Sequence, residues 1–136
     1  MSAKIFIDSN IFLYAFSDKD LHKQKIAKEI VLGTEQTISV QVVNEVSNNL
    51  LKKFCFDETM LENFISNCYD RYHVENLSKN IFILATQLRR HYLFSYYDSV
   101  IVSSALAGQC SVLYTEDMQH KQMIDGRLKI INPFII

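Results

Sequence analysis

Short apolar runs alternate along this chain with longer segments in which apolar residues recur at helical spacing. The short runs each end in polar residues, which predicts strands over 4–7, 37–40, 73–75, 112–114 and 127–131. The longer segments predict helices over 11–16, 18–32, 41–54 and 98–107, and two more that begin after Asp57 and Ser78. Strands that alternate with helices predict an α/β fold, in which a central, mainly parallel sheet is flanked by helices.

The ends of these elements carry further signals. Ser9 or Asn10 is expected to cap the first helix, because side-chain oxygens of this kind accept from the first free backbone N–H groups. Residues 118–124 are predicted to be irregular or briefly helical, and Asp125-Gly126 is a turn signal. The strand over 127–131 would then be the last one, at the edge of the sheet.

The helix over 98–107 is apolar nearly all round. Asp98 is expected to open it, and Gly108 suits the left-handed position that often follows a helix end. A helix this apolar needs cover on several sides, so we expect it inside the fold. Asp98 would then face the crevice where the strand over 112–114 ends, close to Asp117.

Composition and charge narrow the possible functions. The chain has 136 residues, of which 49% are hydrophobic and 21% charged, and we expect one domain over 1–136. The three cysteines lie far apart in the sequence and are expected to be core residues. We expect a cytoplasmic protein, since neither a signal-type segment nor a membrane-length apolar run is present. The net charge of −1 gives no overall attraction to nucleic acid, so such binding would need a local basic patch or metal ions.

Four acids from distant segments are predicted for one edge of the sheet. Asp8 follows the first strand, Glu45 follows the second, and Asp117 follows the late strand whose preceding helix begins with Asp98. Each has an ordinary explanation alone: Asp8 suits a turn or cap, and an acid such as Glu45 in a first helical turn contributes about 0.3–1 kcal/mol through the helix dipole. Because the carboxyl ends of parallel strands meet at one edge, the set as a whole predicts a site.

A cluster of this kind needs a cation. Two unit charges ~4 Å apart repel by about 4 kcal/mol at an effective dielectric near 20. Oxygen ligands alone, with Ser9, Asn10 and Thr115 as neutral neighbours, suit Mg²⁺ or Mn²⁺ better than zinc. Such ions activate water and stabilise in-line displacement at a phosphodiester.

At these residues the chain resembles PIN-domain ribonucleases, in particular the VapC-type toxins of type II toxin–antitoxin systems. The segments that carry the resemblance are Asp8-Ser9-Asn10, 39–45 ending in Glu45, Tyr97-Asp98, 113–119 around Asp117, and Asp125-Gly126 followed by 130–134. It spans nearly the whole chain, and the ordered set of acids is its specific part.

The resemblance implies a PIN-like three-layer fold and an endoribonuclease that cleaves single-stranded RNA. It implies Asp8, Glu45, Asp98 and Asp117 as the metal-binding acids, with Asn10 and Thr115 in support. Homodimerisation, and an antitoxin segment lying across the active-site groove, are also implied. Lys121 departs from the pattern, since related chains more often have a small residue there. Glu116 beside Asp117 leaves open which acid faces the metal.

Alternative classes use similar features. A phosphoacceptor domain of the response-regulator type needs an acid pair after its first strand and a lysine next to a late proline, whereas here Ser9-Asn10 follows Asp8 and Lys129 precedes Pro133 by four residues. A PIN fold that binds RNA or a partner without cleaving is the second alternative. A metal-dependent nuclease assay would distinguish a ribonuclease from these two alternatives.

Basic residues and aromatics add two open questions. The candidates for RNA backbone contacts, which are equally compatible with solvated surface, are Lys52, Lys53, Arg89, Arg90, Lys121 and Arg127. Nine Phe and seven Tyr side chains compete for a modest core, so some are expected at a homodimer interface, with Tyr96 or Tyr97 near the groove entrance. A monomer whose aromatics are all in the core is the alternative.

Overall fold

A six-stranded sheet with six helices around it makes up residues 3–135, the part of the chain that the computed structural model describes. The strands are β1 (Ile5–Ile7), β2 (Thr37–Ser39), β3 (His73–Glu75), β4 (Val112–Tyr114), β5 (Met123–Ile124) and β6 (Leu128–Ile131). The helices are α1 (Ser9–Phe16), α2 (Leu21–Val31), α3 (Val40–Lys53), α4 (Glu58–Arg71), α5 (Lys79–His91) and α6 (Tyr96–Ala107).

The strand order β3-β2-β1-β4-β6-β5 places the first strand of the chain beside a strand from its last third. All neighbouring pairs are parallel except β5 with β6. Phe6 pairs with Leu113 at the centre of the sheet, and both side chains are fully buried. This confirms the predicted α/β class with a mainly parallel sheet flanked by helices.

The edge of the sheet differs from the prediction. The strand predicted over 127–131 is not at the edge, because β6 pairs with β4 on one side and with β5 on the other. Asp125 (φ 52) and Gly126 (φ 64) both have positive φ, which turns the chain back and lays Met123–Ile124 against β6. An Asp-Gly pair is a strong hairpin signal, so the segment predicted as irregular or helical contains the edge strand.

The helix ends also differ in detail. Asp8, and not Ser9 or Asn10, caps α1. Ser95 caps α6, so Asp98 lies inside the first turn of that helix instead of opening it. Gly108 has an ordinary φ of −77°, and the left-handed residue is Gln109, with φ 58°.

Helix α6 is the interior helix that the sequence predicts, with every residue from Ser99 to Leu106 buried. Each fully buried Val, Ile or Leu side chain stabilises the fold by roughly 1.5–3 kcal/mol. The hydroxyl of Ser103 donates to the carbonyl of Ile81 at 2.7 Å, which satisfies a buried polar group and joins α6 to α5. The burial fixes the helix whose first turn presents Asp98.

Two further features are the burial of the cysteines and the length of the apolar helices. Cys68 and Cys110 are buried, as predicted, whereas Cys55 is exposed on the turn after α3. Within residues 3–135 no helix is both long enough and apolar enough to cross a membrane.

Candidate active site

Asp8 forms the floor of a crevice at the carboxyl edge of the sheet. Its side chain is only 3% exposed, because β1 delivers it directly between β4 and the start of α1. One carboxylate oxygen accepts from the backbone N–H of Ser9 at 2.7 Å, and the other accepts from the Thr115 hydroxyl at 2.8 Å. The backbone N–H of Asp8 donates to the carbonyl of Tyr114 at 3.0 Å. Backbone and side chain are therefore both fixed.

Thr115 and Asn10 connect Asp8 to Asp117. The fully buried hydroxyl of Thr115 accepts from Asn10 Nδ2 at 3.2 Å and from the Asp117 N–H at 3.1 Å. Asn10 Nδ2 also donates to Asp117 Oδ2 at 2.9 Å. Two neutral side chains thus separate the two carboxylates and orient both of them.

Glu45 reaches the same crevice from α3. Ser9 Oγ donates to Glu45 Oε2 at 2.7 Å, and Gln41 Nε2 donates to Glu45 Oε1 at 3.0 Å. The first turn of α3 contains no acid, so Glu45 lies deeper in the helix than predicted. Because the dipole effect is confined to the first turn, the ordinary explanation for this acid is weakened.

Asp98 completes the set. It is half-buried in the first turn of α6, and a cavity of about 280 Å³ is lined by both Asp98 and Asp117. Burial raises the pKa of Asp98, the hydrogen bond with Ser95 opposes the rise, and the charges of Asp117 and Glu45 add to it. Asp8 and Asp98 therefore each lie within electrostatic range of both Glu45 and Asp117.

Burial and the neighbouring charges both act on the carboxyl of Asp8, at the floor of the crevice. Burial raises the pKa of Asp8 to about 7, and the charges of Asp117 and Glu45 add to the rise. The hydrogen bonds from Thr115 and from Ser9 N–H lower the pKa but do not cancel the effect. The crevice carries more negative charge than its own hydrogen bonds stabilise.

The donor chemistry fits a hard divalent cation that keeps part of its water shell. Among the residues from 3 to 135, no three Asp, Glu, His or Cys side chains converge closely enough to enclose an ion by themselves. Mg²⁺ needs only one or two carboxylates and retains several waters, and the crevice offers oxygen ligands alone. A cation would offset the cost of burying the charged carboxylate of Asp8 next to Glu45 and Asp117.

Glu116 turns away from the crevice. Its carboxylate accepts from the Tyr14 hydroxyl at 2.5 Å and pairs with Lys23 Nζ at 2.5 Å. Burial alone would raise the pKa of Glu116, but the hydrogen bonds from Lys23 and Tyr14 lower it overall. The carboxylate of Asp117, and not that of Glu116, therefore contacts Asn10 at the crevice, while Glu116 meets Asn10 only through its backbone N–H, which donates to Asn10 Oδ1 at 3.3 Å.

Sequence reasoning missed the supporting residues Gln41, Tyr14 and Lys23. Gln41 could have been found, since it precedes Glu45 by one helical turn, a spacing at which side chains meet. Tyr14 and Lys23 carried no comparable signal, because their partner Glu116 lies about a hundred residues further along the chain.

The comparisons agree with this architecture. The PIN domain family model matches residues 5–125, and the chain therefore belongs to the PIN domain family. No curated protein sequence is significantly similar to it. The resemblance to PIN domains that the sequence indicates is confirmed.

Solved structures with the same fold include toxin–antitoxin proteins. A toxin–antitoxin complex from Klebsiella pneumoniae is 21% identical, with a TM-score of 0.72 over 97% of this chain and 98% of that one. VapC20 of Mycobacterium tuberculosis, described as a sarcin-ricin loop cleaving toxin, is 18% identical, with a TM-score of 0.67 over 84% and 90%. VapBC2 of Rickettsia felis, bound to a DNA fragment from its promoter, is 17% identical, with a TM-score of 0.63 over 93% and 96%. At these identities the likeness is one of fold.

Proposed function

We propose that this protein is a metal-dependent endoribonuclease that hydrolyses phosphodiester bonds in single-stranded RNA, and that it is the toxin of a toxin–antitoxin pair. The observation that carries the proposal is a set of four acids from four segments, in which the charges of Glu45 and Asp117 act both on Asp98 and on the buried carboxyl of Asp8, whose pKa is raised to about 7. Membership of the PIN domain family supports it, as does the fold shared with a sarcin-ricin loop cleaving toxin.

The cofactor in this proposal is Mg²⁺ or Mn²⁺, and the residues that would hold it, directly or through the water molecules that the ion retains, are Asp8, Glu45, Asp98 and Asp117. When bound, such an ion supplies an activated water and stabilises the charge that develops on the phosphate. Exposure rises from Asp8, through half-buried Glu45 and Asp98, to exposed Asp117. A substrate phosphate therefore reaches the crevice from the side of Asp117.

The chain's own side chains orient these acids, and the carboxyl of Asp8 can bind and release one proton. Thr115 and Asn10 fix Asp8 relative to Asp117, and Ser9 with Gln41 fixes Glu45. With a pKa of about 7, the carboxyl of Asp8 is partly protonated near neutral pH. A metal ligand must be deprotonated, so metal binding would release that proton from the Asp8 carboxyl.

The partners in this proposal are an antitoxin and a second copy of the chain, within a single cytoplasmic domain over 1–136. The antitoxin is supported by the K. pneumoniae and R. felis structures, which share this fold and are toxin–antitoxin assemblies. A groove of about 710 Å³ suits a homodimer, because exposed Leu51, Tyr69, Tyr96 and Tyr97 line it. Tyr side chains are favoured at interfaces, since they tolerate both burial and water.

A cleavage assay tests the activity. Purified protein is mixed with fluorescently labelled single-stranded RNA in Mg²⁺, in Mn²⁺ and in excess EDTA, and compared with Asp98→Asn. Asp70→Asn, an identical chemical change at an exposed position on α4, is the matched control. We expect cleavage by wild type and Asp70→Asn only with metal, and none by Asp98→Asn. Cleavage in EDTA would contradict the metal mechanism, and RNA binding without cleavage would indicate a non-catalytic domain.

A further inference from the structure

A pocket of about 330 Å³ adjoins the crevice on one side of Asp117. Its lining comes from α1, the turn that follows α1, the end of α3 and the loop after β4. The charged side chains that line it are Lys19, Lys53, Glu116 and Asp117, and the neutral polar ones include Asn10 and Ser17.

The two lysines in this pocket have no acidic partner. Both are exposed, and neither side chain forms an ion pair or donates a hydrogen bond to any group within residues 3–135. Glu116 is already neutralised, because Lys23 pairs with its carboxylate and does not itself line the pocket. Asp117 is therefore the only acid of the lining whose charge is not locally balanced. Two ammonium groups from distant parts of the sequence thus flank the entrance to the acids.

A second cavity lined by Asp117 is different in charge. This cavity of about 280 Å³ is lined by His91, Asp98, Gln119 and Gln122 among others, and its lining includes no Lys or Arg. Of the two cavities that share Asp117, only the one with Lys19 and Lys53 is lined by ammonium groups.

We propose that the Lys19–Lys53 pocket binds a backbone phosphate of the RNA strand next to the phosphate held at the acids. This proposal rests on the ribonuclease function proposed above and adds a binding subsite to it. A net charge of −1 gives the protein no overall attraction for RNA, and the acids repel it, so local cations must supply the contact. A lysine ammonium binds phosphate as a point charge and does not read bases. The pocket therefore contributes affinity that is independent of RNA sequence. Lys53 is one of the basic candidates from the sequence, and the structure adds Lys19.

Binding and cleavage measurements on Lys19→Gln, Lys53→Gln and the double variant test the pocket. The matched control is Lys79→Gln, because exposed Lys79 lies at the start of α5 while His91, at the other end, lines the cavity with Asp98. At 1.5 Å per residue, the helix puts ~20 Å between these ends. The probe is a short labelled single-stranded RNA, bound in EDTA over a series of KCl concentrations and cleaved in Mg²⁺.

We expect each lysine variant to raise Kd and KM about two- to fivefold, the range of an exposed charge contact, and to leave kcat unchanged. Each lost phosphate contact should lower the slope of log Kd against log salt by about 0.7. Lys79→Gln should match wild type. If the Lys19 and Lys53 variants behave like Lys79→Gln while wild type binds and cleaves RNA, the proposed phosphate subsite is contradicted and the proposed ribonuclease function is not. If wild type neither binds nor cleaves RNA, the function itself fails and the pocket fails with it.

Discussion

Glu116 and Lys23 form an ion pair of 2.5 Å that joins the loop after β4 to α2. The hydroxyl of Tyr14 donates to the other carboxylate oxygen of Glu116, and the ammonium of Lys23 lies 4.7 Å from the centre of the Tyr14 ring. Three elements therefore meet at the residue that precedes Asp117. We call Tyr14, Lys23 and Glu116 the clasp, and infer that it restrains the loop on which Asp117 lies.

The clasp should be measurable by a double-mutant cycle with Lys23→Gln, Glu116→Gln and the double variant. The pair is partly exposed, with 28% and 26% of the two side chains accessible, so we expect a coupling of only about 0.5–1 kcal/mol in the free energy of unfolding. Urea denaturation gives the four values. Cleavage kinetics should show a lower kcat for Lys23→Gln, with recovery in Lys23→Arg. A coupling indistinguishable from zero would mean that the contact does not restrain the loop.

Asp8 should make the metal-free protein less stable as the pH rises. Its pKa is 3.8 ordinarily and about 7 in the folded chain, so the folded state binds a proton more tightly than the unfolded state. The contribution is therefore most favourable below pH 4, falls between about pH 4 and pH 7, and is constant above. At about 1.4 kcal/mol per pH unit, the fall is on the order of 4 kcal/mol.

Asp8→Asn isolates this effect, since Asn caps helices about as well as Asp and carries no charge. We expect the variant to be more stable than wild type at pH 8 in EDTA, with the difference vanishing near pH 4. Urea denaturation over that pH range is the measurement. Lower stability of Asp8→Asn at pH 8 would show that the charged, buried carboxylate of Asp8 does not destabilise the folded state as its raised pKa indicates.

Added Mg²⁺ or Mn²⁺ should stabilise wild type more than Asp8→Asn. A ligand that binds only the folded state stabilises it by about 2.7 kcal/mol at a concentration of 100 times its Kd. Because binding displaces the proton of Asp8, the gain for wild type should shrink as the pH falls below 7. Thermal melting with and without metal at two pH values gives the comparison, and equal gains for both proteins would exclude Asp8 as a ligand.

Thr115 offers a matched pair of substitutions. Its buried hydroxyl bonds to Asp8, Asn10 and the Asp117 N–H, so Thr115→Val removes all three contacts at nearly constant shape. Groups left unsatisfied should cost about 1–3 kcal/mol, and the pKa of Asp8 should rise further because a hydrogen bond that lowers it is gone. Thr115→Ser keeps the hydroxyl and should retain much of the cleavage activity that Thr115→Val loses. Equal activities would mean that the methyl group, and not the hydroxyl, matters.

Association can be tested by sedimentation at micromolar concentration. We expect a dimer mass that dissociates on dilution, and a weaker dimer for Tyr69→Ser, because Tyr69 is 52% exposed in the 710 Å³ groove. Leu21→Ser is the control, since Leu21 is 69% exposed and does not line that groove. A monomer mass across a tenfold dilution series would remove the homodimer and leave the antitoxin proposal untouched.

Residues that follow strand ends were predictable, because local pattern fixes where a strand stops. Asp8, Thr115 and Asp117 lie at the sheet edge for that reason, and Asp98 follows from the apolar character of α6. The direction in which adjacent acids point was not predictable. Glu116 and Asp117 differ in their partners: Lys23, which the packing of α2 brings near, binds Glu116, whereas Asn10 donates to Asp117.

The predictions of backbone detail were wrong for a different reason. Gln109 takes the left-handed position, and Gly108, the residue better suited to it, does not. A single residue's preference is small compared with the tertiary packing that decides where α6 ends. The position of β5 was predictable in principle. Asp125-Gly126 signals a hairpin, and a hairpin needs a strand directly before the turn as well as one after it.

The pairing of β1 with β4 also limits how early the proposed site can form during synthesis of the chain. The centre of the sheet joins residues 5–7 to residues 112–114, and the acids span from Asp8 to Asp117. A nascent chain that has emerged only as far as α5 contains β2 but lacks β4, the other neighbour of its first strand, and lacks two of the four acids. Distant pairings of this kind form late, because loop closure precedes any gain from the contact. For a chain proposed to cleave RNA, this topology means that the site would stay incomplete while the protein is still being made on the ribosome.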